Sequence, residues 1–312
     1  MGIVETLSEM LGSPLMRRSL VVAVLVGVAA PVMGTYLVQR RLALLGDGIG
    51  HVALTGVALG WLVGSLTGVS PIDRFAVPGA IVASVAGALL IELVRARGRT
   101  SGDVALAMLF YGGIAGGVLI ITISGGSSST LTGYLFGSIA TVSSLDMWLA
   151  LVLAVVVIGV GVGLRPALFA LCHDEELARS SGLPTWLLSA LVSVMAALTV
   201  SVSMRVVGVL LVSALMIVPV AASQQLTRSF AGTMRLAMGI GLVVTVAGLV
   251  VTYVRPWSPG ATIVVLAIGA YALAAVAHPV VEARRRRREA PRDPHPEHDD
   301  DVTVGDAAPA AG

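Results

Sequence analysis

The sequence predicts an all-α protein, a polytopic transmembrane helical bundle of eight or nine spans. The chain has 312 residues, of which 56% are hydrophobic and 12% charged, and its mean hydropathy is +0.93. Soluble domains carry about 25% charged residues. The few charges are also unevenly spread. Fourteen of them fall in residues 282–312, leaving the first 281 residues about 9% charged, too few to cover a water-soluble surface of that size. Finally, apolar runs of about 20 residues, the length that crosses a bilayer core, recur along the chain. This composition excludes a large soluble catalytic domain, a disordered scaffold and a nucleic-acid binder.

In chain order, the first span is 19–38. Arg17 and Arg18 precede it as they would a signal peptide, but its length and the spans that follow make it an ordinary first helix. Spans follow at 42–67, 76–94, 104–123, 146–164, 185–203, 206–223, 234–254 and 260–279. The weakest is 206–223, interrupted by Pro219; a re-entrant path there reduces the count from nine to eight. The Met1-Gly2…Thr6 match to a myristoylation signal adds nothing to a chain already held by its helices.

Arginine bias sets orientation. Arg40 and Arg41, then Arg95, Arg97 and Arg99, then Arg165 and Arg179, then Arg228 and Arg235 fall in alternate loops, and Arg284–Arg288 with Arg292 follow the last span. That places 15 Arg on one side against 5 on the other. The Arg-rich side is expected to be cytoplasmic, giving a multi-pass protein of the cell inner (plasma) membrane with a cytoplasmic C-terminus. Nine spans then put the N-terminus outside, against Arg17 and Arg18. Two regions are expected: a transmembrane domain over 1–281, and a cytoplasmic Arg cluster with a disordered acidic tail over 282–312. His295 and His298 beside Asp299, Asp300 and Asp301 could form a weak metal-binding tract; a solvated acidic tail is the reading adopted.

All 20 basic residues are Arg. A Walker A loop needs a Lys for the β- and γ-phosphates, so ATP hydrolysis, if involved, belongs to another chain. The single cysteine, Cys172, excludes an internal disulfide framework and a cysteine-built zinc cage.

An ionisable group within a span is costly and marks function by default. Asp47 and His51, four residues apart, share one helix face. A helix starting near Leu42 carries His51 about 13 Å inward, close to the bilayer middle. Carboxylate plus imidazole suits Zn²⁺, Mn²⁺ or Fe²⁺, and two ligands suit a transient site better than a tight one. The competing reading is a polar pair that orients a helix–helix contact. Thr55 continues the stripe, and Gly46, Gly50, Gly56, Gly60 and Gly64 at small-xxx-small spacing point to close helix packing. Glu92 is expected to snorkel and pair with Arg95 at a helix end, with no transport role. Asp103 and Asp146, at span ends, read the same way.

Between two spans, Cys172 to Pro184 (CHDEELARSSGLP) reads as a short helix, acidic in its first turn and closed by Gly182 and Pro184. Consecutive His173-Asp174-Glu175-Glu176 point in different directions and converge poorly on one ion. A protein-docking helix is the better reading.

Four segments, in order, carry a resemblance. They are Arg41–Gly60 (RLALLGDGIGHVALTGVALG), Gly133–Gly137 (GYLFG), Asp174-Glu175-Glu176…Ala178…Gly182-Leu183-Pro184, and Val207–Pro219 (VGVLLVSALMIVP). Over about residues 15–280 the chain resembles the ABC-type permeases for zinc, manganese and iron. The resemblance implies a type II ABC importer-like permease: a transport subunit, not an enzyme, with no permanently bound cofactor. It further implies a permease homodimer, two cytosolic ABC ATPase subunits and an extracytoplasmic metal-binding protein. The family's metal element, Asp-x-x-x-His, carries over to Asp47 and His51. Its ATPase-coupling helix carries over to Asp174, Glu175, Glu176, Leu177, Ala178 and Gly182. Closure of the ATPases is then expected to pull on this helix and tilt the spans around Asp47 and His51. The chain departs from the family at Thr55, where relatives often have Pro, and at Gly48-Ile49-Gly50, where a Ser commonly precedes the His. Alternatives are a permease for a chelated metal (siderophore or corrinoid), whose wide path should lack an inward Asp/His pair, and an ion-coupled secondary transporter, which needs no ATPase. A membrane metalloprotease would want H-E-x-x-H, absent from the sequence.

Overall fold

The computed structural model describes residues 12–68, 72–97, 102–124, 133–138, 142–204 and 207–289. Helices dominate, and no strand occurs among the described residues. They are α1 (Pro14–Gln39), α2 (Leu45–Thr67), a 3₁₀ turn (Ile72–Phe75), α3 (Ala76–Arg97), α4 (Gly102–Ile123), α5 (Ser144–Gly163), α6 (Arg165–His173), α7 (Glu175–Ser180), α8 (Thr185–Ser203), α9 (Val209–Leu226), α10 (Phe230–Val254) and α11 (Pro259–Glu289). Eight of these are long and apolar enough to cross a membrane: α1–α5, α8, α10 and α11.

The ninth expected span is α9. At 18 residues, about 27 Å, it is shorter than any of those eight. Its start lies beside the start of α11, because a Cβ on Gly260 would strike the Val207 carbonyl. Its end lies beside the end of α11, where Arg228 Nη2 meets Glu282 Oε1 at 2.6 Å. The two helices therefore run in parallel, and α9 traverses the bundle instead of turning back at Pro219.

Two ends of the bundle are defined by side-chain contacts. At one, Tyr36, Phe169 and Phe230 bring the end of α1, α6 and the start of α10 together. At the other, residues 133–138 lie against Gly208 and Gly260, and Ser258 Oγ donates to the Phe136 carbonyl. Gly208 combines φ 94 with ψ 146, a conformation that only glycine adopts readily. Asp146 turns out to close a capping box with Ser143 at the start of α5. The Asp103 side chain, Arg99, Arg205 and Arg292, and the His295–Asp301 tract lie outside the described residues.

Two of the glycines expected to pack helices, Gly56 and Gly60, do so at backbone distance. A Cβ on Gly56 would lie 2.3 Å from the Gly79 carbonyl oxygen, and one on Gly60 would lie 2.1 Å from that of Phe75, so α2 and α3 meet backbone to backbone. Gly34 on α1 sits as tightly against Met216 of α9, and Gly27 against Gly241 of α10. Gly159, by contrast, has nothing within 4 Å of its Cβ direction. Gly60→Ala should therefore cost about 1–3 kcal/mol by overpacking and lower the melting temperature in detergent. Gly159→Ala should hold or raise it by helix propensity, worth about 1 kcal/mol. Equal melting temperatures for the two variants would overturn this account of the packing.

Candidate metal site

Helix α2 begins at Leu45, not near Leu42 as the apolar run suggested, because residues 40–44 are spent on closing α1. Arg40 N–H bonds to the Tyr36 carbonyl, Leu42 N–H reaches back to Leu37, and Arg41 takes the left-handed conformation at φ 57. This is a Schellman-type stop carried by a non-glycine residue. Asp47 therefore stands in the first turn of α2, and His51 is about 9 Å from the helix start.

The site is nonetheless deep, because the neighbouring helices extend past the start of α2. Cβ atoms on Gly87, midway along α3, and on Gly113, midway along α4, would meet Val52 and the His51 backbone respectively. His51 is thus level with the middle of both neighbours, and it is 5% exposed. Its ring meets Phe110 edge-on at 4.3 Å between centroids. Its Nδ1 is buried and has no hydrogen-bond partner. Burying a polar nitrogen without a partner costs free energy, and an unpaired imidazole lone pair is a natural metal donor.

Asp47 is half-buried. Ser213 Oγ, from α9, donates to Asp47 Oδ1 at 2.5 Å. That bond orients one carboxylate oxygen, as outer-shell hydroxyls do for metal-ligating carboxylates. Sequence reading overlooked Ser213: it lies 166 positions from Asp47 and reads as one polar residue in an apolar run. Thr55, one turn beyond His51, donates to the Gly113 carbonyl at 2.6 Å, so its hydroxyl is engaged in holding α4 against α2.

Among the described residues, no three His, Cys, Asp or Glu side chains converge on a point. The candidate donors on α2 are Asp47 and His51, two groups on one helix face. Cys172 is no competitor. Burial pushes its thiol up to about 11 against the opposing pull of Arg40, and the thiolate is the metal-binding form.

The expected docking helix is α7. Asp174 caps it, Oδ1 accepting from the N–H groups of Glu176 and Leu177 at 2.9 Å each. Gly182, at φ 81, closes it, with Leu183 N–H returning to the Ala178 carbonyl. Ala178 is the buried anchor, whereas Glu175, Glu176 and Leu177 face outward. The preceding α6 was not anticipated. Its signals are Pro166 in the first turn and the buried pair Leu168 and Leu171.

Glu92 differs from expectation. It does pair with Arg95, at 3.3 Å, but it does not snorkel: it is 4% exposed and accepts from Ser189 Oγ at 2.7 Å and Ser193 Oγ at 2.6 Å. Two hydroxyls on α8 draw the carboxylate inward, which spacing within α3 could not reveal.

The model of the ABC 3 transport family matches residues 13–278. The chain belongs to the ABC 3 transport family. Among relatives of this ABC 3 chain, the manganese transport system membrane protein MntC of Halalkalibacterium halodurans is 29% identical over 266 residues, covering 85% of this chain and 88% of the relative. The manganese import system permease protein ScaB of Streptococcus parasanguinis is 30% identical over 249 residues, covering 80% and 85%. Among solved structures, PsaBC from Streptococcus pneumoniae in complex with Fab superposes with a TM-score of 0.77 at 25% identity, covering 91% of this chain and all of that one. As an ABC 3 member this chain is a multi-pass membrane transport subunit, and ATP hydrolysis belongs to a separate chain.

Proposed function

We propose that this chain is the permease subunit of an ATP-driven importer for a divalent transition metal, manganese before zinc or iron. The observation that carries the reading is the buried His51 with a free Nδ1, one turn from the Asp47 carboxylate at mid-depth in the bundle. One oxygen and one nitrogen donor suit Mn²⁺, Fe²⁺ and Zn²⁺, and the relatives named for manganese transport support placing Mn²⁺ first. The metal passes Asp47 and His51 and is released without being held. In this reading the permease is a homodimer carrying two cytosolic ATPase subunits, and an extracytoplasmic metal-binding protein delivers the ion. Each ATPase docks at α7 and couples to the permease through its segment Asp174, Glu175, Glu176, Leu177, Ala178 and Gly182, with Leu177 as the docking anchor and Glu175 facing back toward Arg40. The Arg-rich end faces the cytoplasm, together with the C-terminus. Residues 1–281 form the transmembrane domain, and 282–312 a cytoplasmic extension.

The test is uptake of radiolabelled manganese and zinc by cells with and without the gene. Manganese accumulation is expected to depend on the gene at low external metal, with excess unlabelled Mn²⁺ competing better than Zn²⁺. Uptake of both metals independent of the gene would sink the reading.

A further inference from the structure

Arg40 ends α1 at the Arg-rich end, and its side chain is only 5% exposed. Its guanidinium faces two ways. Nη1 donates to Ser189 Oγ at 2.7 Å, and through that hydroxyl it joins the buried Glu92 cluster of α3 and α8. Nη2 lies 3.7 Å from Glu175 Oε2, on α7. These groups line a cleft of about 300 Å³ together with Arg95, Arg179 and Trp186. Glu175 also pairs with Arg179 on its own helix at 3.3 Å, through its other carboxylate oxygen, so it stands between the two guanidinium groups.

What lies beyond Arg40 gives the contact its meaning. The next residue is the left-handed Arg41, and α2 begins four positions further on, with Asp47 in its first turn. A short link stopped by a Schellman-type turn has little slack, so a displacement of Arg40 is delivered to the first turn of α2. Arg40 is thus fastened to α7 at one end and to the helix bearing Asp47 and His51 at the other.

We infer that Arg40 is the positioning residue through which movement of α7 reaches the Asp47/His51 pair, the Arg40–Glu175 contact acting as the linkage. This rests on the reading of α7 as the ATPase contact. A purely structural role, in which Arg40 only offsets the buried Glu92 charge, makes a different prediction, because Glu175 would then be dispensable.

The experiment uses the full complex with its ATPase in proteoliposomes and reads manganese taken up per ATP hydrolysed. Glu175→Gln leaves the Glu92 cluster untouched and concerns a side chain 46% exposed, so it does not endanger folding. It is expected to lower the ratio by about fivefold or more, the scale of a coupling interaction, with assembly retained. Arg40→Gln should do the same, the double variant should be no worse than either single one, and Arg40→Lys should restore most of the ratio. A normal ratio in Glu175→Gln overturns the linkage, as do additive losses in the double variant. Loss of ATPase binding by Glu175→Gln also overturns it, since that residue would then serve docking alone. Co-purification of ATPase with Leu177→Asp is scored separately: if that variant retains its ATPase, the α7 docking reading fails instead.

Discussion

If the proposed path is right, Asp47→Ala and His51→Gln are each expected to reduce manganese uptake by about a hundredfold or more, each removing one of the two candidate donors. Membrane insertion and ATPase binding persist in both, because neither side chain lies near α7. Ser213→Ala gives a smaller loss, about tenfold, because it frees Asp47 Oδ1 without removing it. The ranking separates a metal path from a helix–helix polar contact. If the pair merely orients helices, Ser213→Ala removes the only hydrogen bond described for Asp47 and should match Asp47→Ala. Uptake assays alongside a melting curve for each variant check this. Normal uptake by the Asp47 and His51 variants sinks the path assignment.

Leu177→Asp is expected to separate the permease from the proposed ATPase. The side chain is 64% exposed on a six-residue helix, so the isolated permease should melt at an unchanged temperature. At the centre of an interface, an apolar anchor replaced by a charge loses about 2 kcal/mol or more, roughly thirtyfold in affinity. Co-purification of the ATPase and stimulation of its hydrolysis should both collapse. A variant that keeps both places the contact elsewhere on the Arg-rich end.

The spans were legible because crossing a bilayer leaves a one-dimensional signature, an apolar run of fixed length. Asp47 and His51 were legible for a related reason: four-residue spacing on one helix is a local fact. What stayed hidden was non-local. Ser213 reaches Asp47, and Ser189 and Ser193 reach Glu92, across about a hundred positions or more. A serine in an apolar run looks alike whether it bonds its own backbone or a carboxylate on another helix. The start of α2 was misplaced because Leu42 and Leu44 are apolar, whereas the turn that ends α1 is set by backbone hydrogen bonds and by the left-handed Arg41. α6 was missed because nine residues are too few to stand out beside runs of twenty.

The closest backbone approaches at glycines join the helices into two groups. Gly56 and Gly60 fasten α2 to α3, and Gly113 fastens α4 to α2. Gly34, Gly27 and Gly248 fasten α1 to α9, α1 to α10 and α10 to α11. Backbones in such contact resist shear, because sliding drives main-chain atoms into each other. The Ser213–Asp47 hydrogen bond runs from one group to the other, so Asp47 lies where the two groups meet. A slip of a few ångströms between the groups would break that hydrogen bond without bending a helix. In the proposed reading, passage of the ion then turns on a single joint, with no helix having to bend.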